Sequence, residues 1–553
     1  MFERLLKTAK ELGETHSPPD VPEALSRAVP EHVTVKDVRD LLAQQDGVDA
    51  AAQNIQDSVA VLWAVYAVLK SHDGVLEREE DSKSDTLSEI ADAVGKIMEP
   101  VCPIVEADEE DNTNYTPLAL KGALGLHILD LITRSQQPPF PLPASALLST
   151  VAYTRAADPW TAGDAAAALA QSLLLRARFP PGKRGDIADV VLAGFLRPLF
   201  ARSRPAGVTA AGRRAAYPAE EGGAGEPARY RYVGAGSDPA AKPWMHARRY
   251  AVTVFEWAVE NADTSLIKSH WPLFTPVLLA LLDEPGTGVK LRGLRALRAF
   301  WARLPPGLMR DTGLAPVFEQ AVFPAVLNLP SLTPEDESVS LLAAAYPALF
   351  DMAGVVVVER GEKEAEMTQA KTKKIGDFTE EQRALVDRIV REGIMTGYHH
   401  AKEHVRLVGL LCEELRCLVD GIGILAVKYL KDFIPMTSEI LTDPFGTKHP
   451  PSLLAAVQLL QAILRSCWPR IPGRENEIIK TLMLCWLNID DDEEAFPGDG
   501  QPSPADLKAE LTKTAQMLSA IMKAARVDMS ERVGPLIEKE PQLSALFQDY
   551  EAA

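Results

Sequence analysis

The chain has 553 residues, 46% hydrophobic and 24% charged, which is enough apolar content for large folded cores and excludes a chain disordered throughout. Its formal net charge of −19 repels phosphate backbones and excludes nucleic acid as a partner in the absence of a strong basic patch. The five cysteines (Cys102, Cys412, Cys417, Cys467, Cys485) lack CxxC spacing, so they read as buried thiols of a reducing compartment and not as a zinc site.

The N-terminus, MFERLLKTAKELGE, carries Glu3, Glu11 and Glu14 and no apolar run of signal-peptide length, so no targeting segment is expected. Beyond it, apolar residues recur at helical spacing almost everywhere, from Val59, Leu62, Trp63, Tyr66 and Leu69 to Leu507, Leu511, Leu518, Ile521 and Met522. Helix-start signals agree. Thr116-Pro117, Thr333-Pro334 and Ser503-Pro504 each place a hydroxyl N-cap before a proline at the first helical position, and Thr379 with Gln382 makes a capping box. The uncharged run 135–154 holds Pro138, Pro139, Pro141 and Pro143, and the run 418–429 is broken by Asp420 and Lys428, so neither makes a membrane span.

Residues 204–241 are rich in Gly, Ala and Pro without a helical period, which predicts a flexible linker or insertion between an N-terminal helical region, 1–203, and C-terminal helical repeats, 242–553. A charged segment at 359–374 and loops near 71–85, 106–114 and 490–502 are expected as well; the acidic clusters in the last two read as solvated loops. The one strand-like run, Val355–Val358, fits an edge strand or an apolar loop plug equally. The class is all-α.

The stretch 271–350 is the most informative. An apolar helix is expected from about Pro276 to Leu282, closed by Asp283 and Pro285, with a second amphipathic helix from near Val289. That is one unit of a helical-repeat α-solenoid of stacked antiparallel helix pairs, an architecture that offers long surfaces to other proteins. At about 100° per residue, Leu294, Leu297, Phe300, Trp301 and Leu304 share one broad face of the second helix. Arg292, Arg295 and Arg303 gather on the other, as a solvated row or a partner-binding row for acidic side chains.

Chemistry has one candidate. His400-Ala401-Lys402-Glu403-His404 matches H-x-x-E-H. On a continuous helix His400 and His404 would share a face and hold zinc, with Glu403 as base and Glu475 or Glu477 as a distant third ligand. Three fixed letters arise easily by chance, and no strand-rich peptidase domain surrounds them, so a zinc peptidase is a remote alternative. Cys412 and Cys417 lie five apart, on different helix faces. Gly421-Ile422-Gly423 opens no G-x-G-x-x-G, which removes a nucleotide cradle. No catalytic, cofactor or metal residue is assigned, and the chain reads as a non-enzymatic scaffold.

The segment PVLLALLDEPGTGVKLRGLRALRAF resembles a HEAT-repeat unit. In that family the turn Asp and the following basic residue commonly make a polar ladder between repeats, which implies Asp283 with Lys290 or Arg292 here. The longer strings LPPGLMRDTGLAPVFEQAVFPAVLNLPSLTPEDESVSLLAAAYPALF, HVRLVGLLCEELRCLVDGIGILAVKYLKDFIPMTSEILTDPF and LLAAVQLLQAILRSCWPRI resemble the family of Tel-two-interacting protein two, over about 242–471. Residues 1–203 agree with it only in being helical. The resemblance implies an adaptor and co-chaperone subunit of the TTT complex. That complex works with the ninety-kilodalton heat-shock chaperone system to fold and assemble phosphatidylinositol-three-kinase-related kinases of TOR signalling, the DNA-damage response and telomere maintenance. It further implies Tel-two-interacting protein one as direct partner, Tel-two, the kinases and the chaperone as indirect ones, no cofactor, and a cytoplasmic and secondarily nuclear location. A generic HEAT scaffold for transport or phosphatase assembly is the alternative.

Overall fold

The computed structural model of the chain describes residues 2–12, 16–43, 55–72, 85–102, 114–134, 141–176, 186–203, 242–305, 307–356, 378–492 and 502–548. The expected linker at 204–241, the charged segment at 359–374 and most of the expected loop residues lie outside these. Every regular element among the described residues is a helix, in agreement with the all-α class. Contacts divide the chain into two compact units, Met1–Ala280 with Arg303–Thr312, and Leu281–Ala302 with Gly313–Ala553. The division at Ala280 and Leu281 thus falls inside a helix, well past 204–241.

The first unit contains α1 (Glu3–Leu12), α2 (Val35–Ala43), α3 (Ile55–Ser71), α4 (Asp85–Met98), α5 (Thr116–Arg134), α6 (Ala144–Ala152), α7 (Gly163–Arg176) and α8 (Ala251–Asn261). Helix α1 packs on α3, α3 on α5 and α5 on α7, while α2 packs on α4, α4 on α6 and α6 on α8. Alternate helices therefore form two layers, the arrangement of a solenoid built from helix pairs. Helix α3 is buried continuously from Ser58 to Leu69. A helix covered on all sides must be apolar all round. Its four valines (Val59, Val61, Val65, Val68) are modest helix formers, and burial outweighs that propensity.

The chain that resumes at Lys242 packs back on this unit. Trp244 stacks on Phe200 with ring centroids 4.6 Å apart, and its Nε1 donates to Ser203 Oγ at 2.9 Å, so the two flanks of 204–241 meet. Cys102 N donates to Ala247 O at 2.8 Å, and Arg248 Nε to Glu99 Oε1 at 2.9 Å. Beneath them the buried Lys121 Nζ donates to Glu99 O at 2.9 Å.

The helix expected from Pro276 is longer. It is α9 (Thr264–Asp283), with Pro272 and Pro276 inside it, and it ends at Asp283 as expected. Each proline removes one i→i−4 bond; Thr275 Oγ1 donates to Trp271 O at 3.0 Å beside them. Among the described residues α9 is the one helix long and apolar enough to cross a membrane, and 61% of that stretch is buried, as in a core helix.

The second unit takes up the end of α9 and adds α10 (Thr287–Trp301), α11 (Glu335–Ala353), α12 (Val405–Ile422), α13 (Leu430–Leu441), α14 (Pro450–Cys467), α15 (Glu475–Asp491) and α16 (Pro504–Ala524). Here α10, α11, α12, α14 and α16 pack in succession as one layer, with α13 on α15 in the other. A Cβ on Gly293 would lie 2.9 Å from Leu281 Cβ, so glycine lets α10 close on the last turn of α9.

Two of the expected caps stand. Thr379 and Gln382 form the capping box, and Ser503 caps α16 with Asp506 as reciprocal partner. Two shift. Pro334, not Thr333, is the N-cap of α11, and Thr116 lies in the first turn of α5, where its N–H donates to Asn114 Oδ1 at 3.0 Å. Val355 and Val356 form no strand; Val355 is buried against Gly421, as a loop plug would be, and Val357 and Val358 lie outside the described residues.

Two predictions concern stability. Burial pushes the Lys121 ammonium down to about 8. An unfolded lysine keeps its proton to about 10.4, so between these values the unfolded chain binds more protons and folding gains as pH rises. Wild-type stability relative to Lys121→Met should climb by about 1.4 kcal/mol per pH unit across that window and stay flat below it. Denaturant titrations from neutral to alkaline pH check this. At Gly421 a Cβ would lie 2.4 Å from Val355 Cγ1. Gly421→Ala should cost about 1–3 kcal/mol, and Gly421→Ala with Val355→Ala should cost less than the sum of the two single changes, as measured by urea unfolding.

Candidate interaction surface

In the second unit, polar contacts join residues 45 to 70 positions apart in the chain. Thr287 Oγ1 donates to Glu337 Oε2 at 2.5 Å and Arg298 Nε to Asp351 Oδ2 at 2.9 Å, joining start to start and end to end of α10 and α11. Arg406 Nη1 donates to Asp336 Oδ1 at 2.5 Å, and His404 Nδ1 lies 3.6 Å from Glu335 Oε2, joining the starts of α11 and α12. Ser452 Oγ donates to Val405 O at 2.5 Å, and Arg465 Nη2 to Asp420 Oδ1 at 3.1 Å, which places α14 in the same direction as α12. Gln461 Nε2 donates to Glu510 Oε2 at 2.7 Å and Thr514 Oγ1 at 3.1 Å, adding α16. The layer is a row of parallel helices with polar rungs, and its helix starts line one edge.

Ser452 has a single hydroxyl proton, and with that proton on Val405 O its oxygen is left to accept from His449. The 2.7 Å contact to His449 Nδ1 then requires the Nδ1–H tautomer. Burial, with the Arg406 charge nearby, lowers the His449 pKa and favours this neutral form.

Lys290 is half-buried, and burial lowers its pKa while the Asp283 and Glu284 charges pull the other way. Of the arginine row, Arg295 is exposed and Arg292 half-buried, both on α10. Arg303 belongs to the other compact unit and donates through Nη2 to Glu260 O at 3.3 Å, so these side chains are not brought together as one described surface. Arg298, which the helical angle alone does not single out, bridges α10 to α11 through Asp351.

His400 and His404 do not share a helix. One ends at Ala401, Lys402 and Glu403 form a turn, and His404 is the N-cap of α12 with φ −92° and ψ 88°. The continuous turn that the H-x-x-E-H pattern requires is therefore absent, and of the two suggested third ligands Glu475 is paired with Arg532 at 3.0 Å and Glu477 with Arg474 at 3.4 Å. The motif's residues tie this turn to its neighbours. Lys402 Nζ and Tyr398 Oη donate to Glu439 at 2.8 and 2.9 Å, and these two bonds hold the Glu439 carboxyl below its usual range. Among the described residues no three His, Cys, Asp or Glu side chains gather closely enough for a metal ion.

The cysteines are free thiols, and burial pushes Cys412, Cys467 and Cys485 up to about 12. Cys412 is fully buried and Cys417 partly exposed, on different faces as expected. Gly423 takes φ 55° and ψ −128° where α12 ends, and Gly421 admits Val355, so both glycines have packing roles. In the first unit a pocket of about 320 Å³ is lined by Arg197, Phe200, Ala201 and the proline face of α9 (Pro272, Leu273, Pro276, Val277). Its walls carry one charged side chain and no convergent polar groups.

The rungs were not visible in the sequence because each pairs residues of unremarkable type across tens of positions. The apolar side chains exposed at the helix starts (Leu332, Val405 and Phe445) were missed as well.

Among solved structures, one reporting Kap95p bound to RanGDP is similar at 12% identity with a TM-score of 0.40, covering 94% of this chain and 58% of that one. A structure of Kap121p is similar at 12% identity and a TM-score of 0.36, covering 100% and 52%. The chain thus spans between about half and three-fifths of the length of these structures. No curated protein matches. The sequence model of the Tti2 family matches residues 146–448, more than half of the chain, and runs from within α6 through α13, taking in α10, α11 and α12 of the parallel row and leaving α14 and α16 beyond it; the chain belongs to the Tti2 family.

Proposed function

We propose that the chain is a non-enzymatic adaptor subunit of the TTT complex. The observation that carries this reading is the Tti2 family match over residues 146–448. Physical support comes from the second unit, where side chains that could do chemistry are spent on joining helices. His404, Arg406 and Ser452 hold neighbouring helix starts together, and the buried thiols are kept protonated. In this role the chain binds Tel-two-interacting protein one directly and supports Tel-two. Through them it serves the folding and assembly of phosphatidylinositol-three-kinase-related kinases with the ninety-kilodalton heat-shock chaperone system, in the cytoplasm and the nucleus.

Affinity purification of the tagged full chain from cells, followed by mass spectrometry, tests the role. Near-stoichiometric recovery of both TTT partners is expected, and depletion of the chain should lower the steady-state level of the kinases. Recovery of neither partner would sink the reading and leave a generic HEAT scaffold.

A partner that covers apolar surface stabilises the folded state by mass action. The purified chain should therefore melt several degrees higher in the presence of Tel-two-interacting protein one than alone. Equal melting temperatures by scanning calorimetry would rule out a large apolar interface between them.

A further inference from the structure

We infer that the edge formed by the helix starts of α11, α12 and α14 docks an amphipathic helix of a partner protein, one with a heptad-spaced apolar stripe flanked by basic residues. The inference rests on the reading of the chain as a complex subunit and assigns that role a surface.

Three apolar side chains stand out along this edge. Leu332, in the turn that leads into α11, is 90% exposed; Val405, the first residue of α12, is 45% exposed; Phe445, in the turn that leads into α14, is 77% exposed. All three precede or begin helices of the one parallel row. The Arg406–Asp336 and His404–Glu335 pairs hold the first two helix starts side by side, and the Ser452 hydroxyl on Val405 O holds the second and third. The turns are themselves ordered. Leu332 N donates to Leu329 O at 3.0 Å, and Phe445 N to Asp443 Oδ1 at 2.9 Å, so the side chains are presented from braced backbone.

Spacing selects the occupant. Packed helices lie about 8–10 Å apart, and a helix rises about 1.5 Å per residue, so about seven residues of a partner helix cover each step along the edge. Positions i, i+7 and i+14 of one helix share a face and advance by about one helix spacing per step, which matches the succession of α11, α12 and α14. An extended peptide needs about three residues per step, and its alternation turns every second such side chain away.

Charge selects its composition. Glu335, Asp336, Glu337, Glu403 and Asp443 line the edge, against Lys402, Arg406 and Lys448. The Arg406–Asp336 pair cancels and Lys402 is engaged by Glu439, which leaves Glu335, Glu337, Glu403 and Asp443 against Lys448. The surplus is negative, in a chain of net charge −19, and it attracts lysine and arginine beside the apolar stripe while repelling an acidic helix.

The test uses the full chain, wild type and Leu332→Glu/Phe445→Glu, in two arms. In the first, a fluorescent synthetic helix with leucines at i, i+7 and i+14 and flanking lysines is titrated with each protein, beside a counterpart with glutamates for lysines. Wild type should bind the basic helix about tenfold or more tightly than either its acidic counterpart or the double variant does. Circular dichroism and melting temperature should be unchanged by the substitutions, since both side chains face solvent. Equal binding by the two proteins, or no binding by wild type, overturns the inference. In the second arm each protein is co-expressed with Tel-two-interacting protein one. Loss of co-purification in the double variant alone supports the edge as that interface, and retention by both leaves the complex role standing while removing the edge from it. Failure of both proteins to co-purify, with the basic helix still bound in the first arm, counts against the proposed function and not against the edge. A wild-type dimer in sedimentation that the double variant breaks would assign the edge to a second copy of this chain and overturn the partner helix.

Discussion

The contact between α12 and α14 is the interaction on which the second unit depends. A Cβ on Gly409 would lie 2.9 Å from Ser452 Oγ, so the helices meet at a distance that only glycine on one side and a small hydroxyl on the other permit. Ser452 then bonds the first carbonyl of α12, which sets the longitudinal register between the helices. From that register the Arg465–Asp420 pair follows at the opposite end, and α16 joins through Gln461. Ion pairs at half-exposed positions contribute little stability by themselves. Their effect is to select one register among several that would bury similar apolar area.

A layer of parallel helices has a geometric consequence that a bundle of antiparallel helices lacks. All the helix starts fall on one edge and all the ends on the other, so whatever residues begin helices become neighbours. Helix starts favour acidic residues, which suit the positive end of the backbone dipole. Glu335, Asp336 and Glu337 in the first turn of α11 follow that preference. The acidic character of the edge is thus in part a by-product of helix chemistry, and the exposed Leu332 and Phe445 are what helix chemistry does not call for.

Much of this architecture is written locally. The 3.6-residue period, the Thr379–Gln382 box and the Ser503-Pro504 start depend on residues within one or two turns of each other, and they appear where the sequence places them. Signals that compete with burial mislead. Pro276 reads as a helix start, yet it sits inside α9, because apolar residues on both sides of it are buried and hold the helix through the missing bond. Thr333 reads as a cap and is instead buried, one position too early. His400 and His404 read as ligands only on the assumption of an unbroken helix, and the turn at Lys402 and Glu403 breaks it. The edge is illegible for a different reason: Leu332 and Val405 lie 73 positions apart and Val405 and Phe445 40, and no period links them.

Stacked helices stabilise one another mainly through nearest neighbours. A substitution at one rung is therefore felt by the helices it joins and fades beyond them, whereas a ligand that spans several helix starts couples rungs that the chain itself leaves nearly independent. Binding along the edge would stiffen α11, α12 and α14 as a group, and the energy would come from apolar side chains that the isolated chain keeps in water. In such an array the edge is where a partner gains most leverage: it can contact several layer members at once without opening any of the packed faces between them.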